Sequence, residues 1–214
     1  MASRFPDPRY VRGDIVAIGD QLDVDTLRDA YRHGIFPWPH DALPLPWFSP
    51  RRRALLFFDN VHVGRTLRKE MGRARYEFSI DRDFPAVIRA CAEAPRPGQD
   101  GTWIAAPIES AYTALHEAGD AHSVEVWENG ALIGGLYGVD SGGAFTGESM
   151  FHRRTGASKI ALLFLVEHLR ARGVGWLDCQ VMTPHMEALG ARLVPRSKFL
   201  DLLGDAQAHA VKLF

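Results

Sequence analysis

Hydrophobic and polar positions along this chain change period several times, and each change marks an element. Leu27, Ala30 and Tyr31 share one face at i, i+3, i+4 spacing. That pattern predicts a helix over 25–34, with Asp23 or Asp25 as N-cap and Gly34 as stop. The compact apolar run 54–58 predicts a strand, 61–72 a helix, 76–80 an alternating strand and 83–93 a helix carrying Phe84, Val87, Ile88 and Cys91 inward. A further helix is expected over 107–117, ended by Gly119. Asn129-Gly130 between the apolar alternations 123–127 and 131–133 predicts a two-residue hairpin. Its second strand continues through the glycine-rich stretch 134–139, where glycines imply a bulge or a close ligand. After 142–151 come a helix over 158–171 capped by Ser158, a strand over 176–182, and a short helix opened by Thr183-Pro184 and stopped at Gly190. This order of antiparallel and crossover connections gives an α+β (α/β) class around one mixed sheet.

Between the first helix and the first strand the period is lost. Five prolines within residues 37–50 forbid regular structure there and stiffen a loop bearing Phe36, Trp38, Trp47 and Phe48. Such a loop is either a satellite core or the wall of a ligand site.

Two interruptions of apolar pattern carry the candidate chemistry. Glu148 sits among Phe145, Met150 and Phe151 in a small-residue strand, and Asp178 and Gln180 alternate onto one face of a strand that otherwise reads as buried. An unpaired buried carboxylate is costly, so Asp178 has either an arginine partner or a task. Two carboxylates and an amide facing one cleft suit the binding and orientation of an amine nucleophile. Other chemistries lack their residues. Gly147-Glu148-Ser149-Met150 is no nucleophile elbow, His116, His122 and His185 lack metal spacing, and Cys179 in a strand reads as packing.

Composition adds bounds. With 214 residues and 46% hydrophobic content, the chain can bury a core. No apolar run is long enough for a transmembrane helix, and residues 1–20 lack a signal peptide's apolar stretch. Two cysteines, Cys91 and Cys179, form no disulfide framework, so a cytoplasmic address is expected. The net charge of −1 hides two basic clusters, Arg51-Arg52-Arg53 and the set Arg65, Arg68, Lys69, Arg73 and Arg75. These are either solvated surface or a phosphate-binding face.

Taken in order, several motifs resemble those of one family. They are Tyr31-Arg32-His33-Gly34-Ile35-Phe36-Pro37-Trp38, Trp47-Phe48-Ser49-Pro50, Gly101-Thr102-Trp103-Ile104 and His116 to Trp127, followed by Gly134 to Val139, Gly147 to Phe151, Ala157-Ser158-Lys159 and Asp178-Cys179-Gln180. Spanning about residues 24 to 196, the set resembles the leucyl/phenylalanyl-tRNA–protein transferases. Each motif is weak alone, and the ordered set is specific.

The resemblance implies an enzyme that moves Leu or Phe (or Met) from aminoacyl-tRNA to the α-amine of proteins beginning with Arg or Lys, marking them for N-end rule degradation. It implies a GNAT-like acyl-CoA N-acyltransferase fold: a small N-terminal domain over 1–60 and a catalytic domain over 61–214. Asp178 and Gln180 would be the catalytic pair, and Glu148 would contact the substrate amino group. Phe48 and Trp103 would bound the terminal adenosine, with Phe48 beside Trp47 where the family has a second Trp. Tyr112 and Phe145 would lie near the aminoacyl end, and Arg65, Arg68, Lys69, Arg73 and Arg75 would meet the tRNA backbone. The donor is already an ester, so no cofactor or metal is expected, and the protein is expected to work as a monomer away from membranes. The rival on the same fold is a CoA-dependent N-acyltransferase, for which Arg153-Arg154-Thr155-Gly156-Ala157-Ser158 is a partial pyrophosphate loop. The aromatic residues Trp38, Trp47 and Trp103 have no part in such chemistry.

Overall fold

A computed structural model of the chain describes residues 3–19, 21–39, 44–65, 67, 69, 76–95 and 102–214. Apolar alternation produces two sheets. The smaller joins β1 (Ile15–Ile18), β3 (Pro46–Phe48) and β2 (Phe36–Pro37) in that order, all antiparallel. The larger has seven strands in the order β10-β4-β9-β8-β7-β6-β5. Its members are β4 (Arg52–Phe57), β5 (Glu77–Ile80), β6 (Ala121–Glu128), β7 (Ala131–Asp140), β8 (Phe145–His152), β9 (Trp176–Asp178) and β10 (Arg192–Pro195). All its pairings are antiparallel except β8 with β9, which α4 (Ala157–Arg170) connects as a crossover. The mixed sheet matches the expected α+β class.

Helices cover both faces. On one side, α1 (Val24–Arg32), α2 (Phe84–Glu93) and α3 (Ala106–Glu117) share a core with the small sheet and with Tyr137, Val139 and Phe151. On the other, α4 packs Ile160, Ala161, Leu162, Leu165, Val166 and Leu169 onto Val124, Val126, Leu136 and Leu177. Each fully buried Leu or Ile contributes roughly 1.5–3 kcal/mol, so α4 is held mainly by this face. The short α5 (Pro184–Ala188) follows β9, and α6 (Arg196–His209) closes the β4 end with Phe199, Leu200 and Leu203.

Several expectations shift. The proline-rich stretch does form β2 and β3, because Pro37 and Pro46 sit at strand ends in a three-stranded sheet that asks few amide donors of them. Helix α4 is opened by Gly156 at φ +87° with no side-chain cap, and Ser158 lies buried inside its first turn. Strand β9 stops at Asp178, and Gln180 takes the left-handed φ of +61°. β4, on the N-terminal side of the boundary expected at residue 60, is a strand of the larger sheet. Of the helix expected over 61–72, residues 65, 67 and 69 are helical and the others from 66 on lie outside the described residues. The hairpin forms as its Asn-Gly requires, with Asn129 and Gly130 at φ +51° and +77° and Glu128 opposite Ala131.

One irregularity places the site. The β7–β8 register pairs Tyr137 with Ser149 but Gly138 with Gly147, leaving Glu148 as the extra residue of a bulge. Gly138 permits this approach: a Cβ there would lie 2.2 Å from the Thr146 carbonyl oxygen.

Candidate active site

Four elements converge where β8 runs parallel to β9. The bulge in β8 aims Glu148 toward α1 and α3, whose buried faces carry Tyr31 and Tyr112. The Tyr31 hydroxyl donates to Glu148 Oε1 at 2.6 Å, and the Tyr112 hydroxyl donates to Oε2 at 3.3 Å. The two hydroxyls also touch one another. Gln180 donates its side-chain Nε2–H to Glu148 Oε1 at 2.6 Å. In its ionised form Glu148 is an acceptor only, and that form fixes the orientation of the amide. Its nitrogen faces Glu148, which leaves the carbonyl oxygen as the acceptor of that amide.

Behind Gln180 stands Asp178, 1% exposed. Its Oδ1 accepts from Arg53 Nε at 2.8 Å and from the Gln180 backbone N–H at 2.9 Å. Its Oδ2 accepts from Arg53 Nη2 at 2.7 Å and from Thr146 Oγ1 at 3.0 Å. Both carboxylate oxygens are thus occupied by protein donors. Arg53, also 1% exposed, is sandwiched between the Phe36 and Phe199 rings at 4.8 and 4.5 Å and donates to the Gly34 carbonyl.

Electrostatics follow from this burial. Loss of solvent raises the Glu148 pKa from 4.5 to about 7; the Asp178 charge adds to the rise, and the Tyr31, Tyr112 and Arg53 contacts oppose it. Near neutral pH, Glu148 is therefore poised between charged and neutral forms. Burial, then the Glu148 charge, pushes Tyr31 and Tyr112 well above the usual phenol range, so both stay protonated donors. Burial likewise pushes the Cys179 thiol up, which leaves no thiolate nucleophile. Among the described residues no group of three or more His, Cys, Asp or Glu is placed to hold a metal ion. The assembly is suited to gripping and orienting an amine.

The leucyl/phenylalanyl-tRNA protein transferase family model matches residues 55–204, and the model of that family's N-terminal domain matches residues 20–51. The chain belongs to this family. It is 51% identical over 199 residues to the leucyl/phenylalanyl-tRNA–protein transferase of Pseudomonas fluorescens (strain Pf0-1), covering 92% of this chain and 88% of the relative. It is 50% identical over 210 residues to that of Methylococcus capsulatus (strain ATCC 33009 / NCIMB 11132 / Bath), covering 97% and 89%. Among solved structures, FemX superposes with a TM-score of 0.52 at 11% identity, over 83% of this chain and 70% of that one. That likeness is one of fold alone.

The other residues expected to serve a leucyl/phenylalanyl-tRNA–protein transferase site fall as follows. Phe48 and Trp103 are partly buried beside the first core cluster, and Trp38 meets Phe48 edge-on at 5.6 Å. Phe145, in contrast, is 0% exposed and lies in the second cluster, tilted against Phe214 at 5.3 Å. Strand alternation sends Thr146 toward Asp178 and therefore Phe145 to the opposite face, so its ring walls no open pocket here. Arg65 and Lys69 are exposed, whereas Arg68, Arg73 and Arg75 lie outside the described residues. The triplet Arg51-Arg52-Arg53 is not one basic face, since the strand turns Arg53 inward.

Sequence reasoning passed over Tyr31, Arg53 and Thr146 as parts of the site. For Arg53 a signal existed: period-2 alternation in β4 must point one of two adjacent arginines inward, and Asp178 needed a partner. Tyr31 was legible only as an apolar face position. Nothing local reveals that its hydroxyl meets a carboxylate 117 residues away.

Proposed function

We propose that this protein transfers Leu or Phe from aminoacyl-tRNA to the N-terminal α-amine of proteins that begin with Arg or Lys, marking them for the N-end rule. The observation that carries the reading is the Gln180–Glu148 pair held by two tyrosines in a member of this family. The acceptor amine attacks the ester carbonyl carbon. The new C–N bond replaces the C–O bond to the terminal ribose, the amine releases one proton, and the ribose oxygen takes one up. An α-amine has a pKa of about 7.7–8.0, so a sizeable fraction is already neutral near pH 7. Catalysis then rests on orientation, which can supply several kcal/mol. The Gln180 carbonyl oxygen accepts from the attacking N–H, and Glu148 in its charged form grips a substrate ammonium. Asp178 acts from behind Gln180.

The reading extends to the rest of the chain. The larger domain is of the GNAT-like N-acyltransferase type, with the site at the parallel β8–β9 pair. Phe48 and Trp103 bound the terminal adenosine, and each stacked base contributes about 1–3 kcal/mol. Arg65, Arg68, Lys69, Arg73 and Arg75 hold the tRNA backbone without reading its sequence. No cofactor is needed, because the ester supplies the activation. The protein works as a cytoplasmic monomer, and no described helix is long and apolar enough to cross a membrane. CoA-dependent acylation is the weaker reading: Arg154, in the partial pyrophosphate loop, is engaged by Glu128, and Arg153 donates to the Leu132 carbonyl at 3.2 Å.

The test offers labelled Leu on tRNA and labelled acetyl-CoA as competing donors to a peptide with N-terminal Arg. Leucyl transfer that falls at least tenfold in Gln180→Ala, with the fold intact, is the expected result. Acetyl transfer in place of leucyl transfer would overturn the reading.

A further inference from the structure

Gln180 is useful only if its amide points at Glu148, yet its backbone is in a conformation that disfavours a side chain with a Cβ. A left-handed glutamine persists only where its surroundings over-determine it. Two hydrogen bonds do so here. The Gln180 N–H donates to Asp178 Oδ1 at 2.9 Å, and its carbonyl accepts from the Ala54 N–H at 3.1 Å. Both anchors lead to the same place in β4. Ala54 adjoins Arg53, and the Arg53 guanidinium grips Asp178 through two parallel bonds of 2.8 and 2.7 Å. Such a fork fixes the carboxylate plane as well as its position.

The guanidinium is itself immobilised by the Phe36 and Phe199 rings and the Gly34 carbonyl. Arg53 and Asp178 are each 1% exposed, so neither reaches solvent or a substrate. This arrangement is more constrained than charge neutralisation requires. A lysine would neutralise Asp178 equally, but as a point charge it would leave the carboxylate free to rotate.

We propose that Arg53 is a positioning residue of the transfer reaction. It fixes the plane of Asp178, whose Oδ1 holds the Gln180 backbone in the left-handed turn that aims the Gln180 amide at Glu148. Asp178 on this view acts through the Gln180 backbone, and the line of support runs Phe36/Phe199, Arg53, Asp178, Gln180. The proposal rests on the transferase reading for its consequence, although the positioning itself can be observed without turnover.

Arg53→Lys tests it, because it keeps the charge beside Asp178 while removing the fork, together with the guanidinium's ring stacking and its bond to the Gly34 carbonyl. The first readout is the pair of Gln180 side-chain amide proton resonances, assigned by their loss in Gln180→Ala. In the wild type the proton bonded to Glu148 should exchange with solvent at least about tenfold more slowly than that of a surface glutamine, and in Arg53→Lys this protection should disappear. The second readout is a double-mutant cycle. Gln180→Ala should cost about tenfold in kcat in the wild type but less than about threefold in the Arg53→Lys background, with the KM for aminoacyl-tRNA unchanged. A purely structural Arg53 would lower stability and leave the Gln180 factor the same in both backgrounds.

If Arg53→Lys does not fold, Phe199→Leu, which unstacks the guanidinium from the far side, is put through the same two measurements. Unchanged amide protection, or equal Gln180 factors in the two backgrounds, overturns the proposal. A wild type that transfers no amino acid while its amide protection still depends on Arg53 would leave the positioning standing and remove the transferase reading.

Discussion

The raised pKa of Glu148 makes the site a measurable burden on stability, and Glu148→Gln isolates it. In the unfolded chain this carboxyl releases its proton near 4.5; in the folded protein it does so at about 7. Between those values the folded state binds a proton that the unfolded state has lost, so stability falls as pH rises through this window and levels off above it. The shift is 7 − 4.5 = 2.5 units. At 1.36 kcal/mol per unit the full cost is roughly 3 kcal/mol, of which roughly 2–3 kcal/mol is incurred between about pH 5 and pH 8. Glutamine cannot ionise, so the variant escapes this slope whatever its fixed offset from altered hydrogen bonding. Urea denaturation of both proteins at several pH values across this range should show the variant gaining roughly 2–3 kcal/mol on the wild type from the acid to the alkaline end. Other titrating groups cancel in the difference. Parallel stability–pH curves would show that Glu148 ionises at its ordinary pH and would refute the desolvation argument. The same carboxylate, if it grips a substrate ammonium, should give kcat/KM an inflection near pH 7, rising with pH, that Glu148→Gln abolishes.

Other perturbations have equally definite outcomes. Gly138→Ala places a Cβ 2.2 Å from the Thr146 carbonyl oxygen and 2.6 Å from the Phe145 ring, and should cost about 1–3 kcal/mol or more in thermal denaturation while also displacing the bulge that aims Glu148. Gly147→Ala, whose Cβ meets nothing nearer than the Asp178 carbonyl oxygen at 3.7 Å, is the control expected to retain activity. Phe48→Ala should raise the KM for aminoacyl-tRNA by the equivalent of about 1–3 kcal/mol with little change in kcat, as steady-state kinetics would show. Replacing Arg65, Arg68 and Lys69 together by Ala should weaken tRNA binding and flatten its log K against log salt slope by about 2–3, read by filter binding at several salt concentrations.

The sequence by itself determined most of the elements and the residues of unusual cost. Period 3.6 located α1, α2 and α3, and Asn129-Gly130 located the β6–β7 hairpin, because these depend on contacts within a few residues. Glu148, Asp178 and Gln180 stood out because polar groups in apolar strands must be satisfied. The ordered motifs pointed to the family that the comparisons then showed. Tertiary structure alone decided how those groups are satisfied. Asp178 and Gln180 looked equivalent as alternating strand positions, but β9 ends between them, so one is sealed behind Arg53 and the other turned toward Glu148. Tyr31 joins the site because α1 packs beside α3, and Phe145 is withdrawn because its strand alternates it into the other core. Local propensity fixes which residues form an element. Which of two neighbouring polar groups is sealed behind an arginine and which is turned toward a second carboxylate depends on partners remote in the chain: Arg53 lies 125 residues from Asp178, and Glu148 lies 32 residues from Gln180.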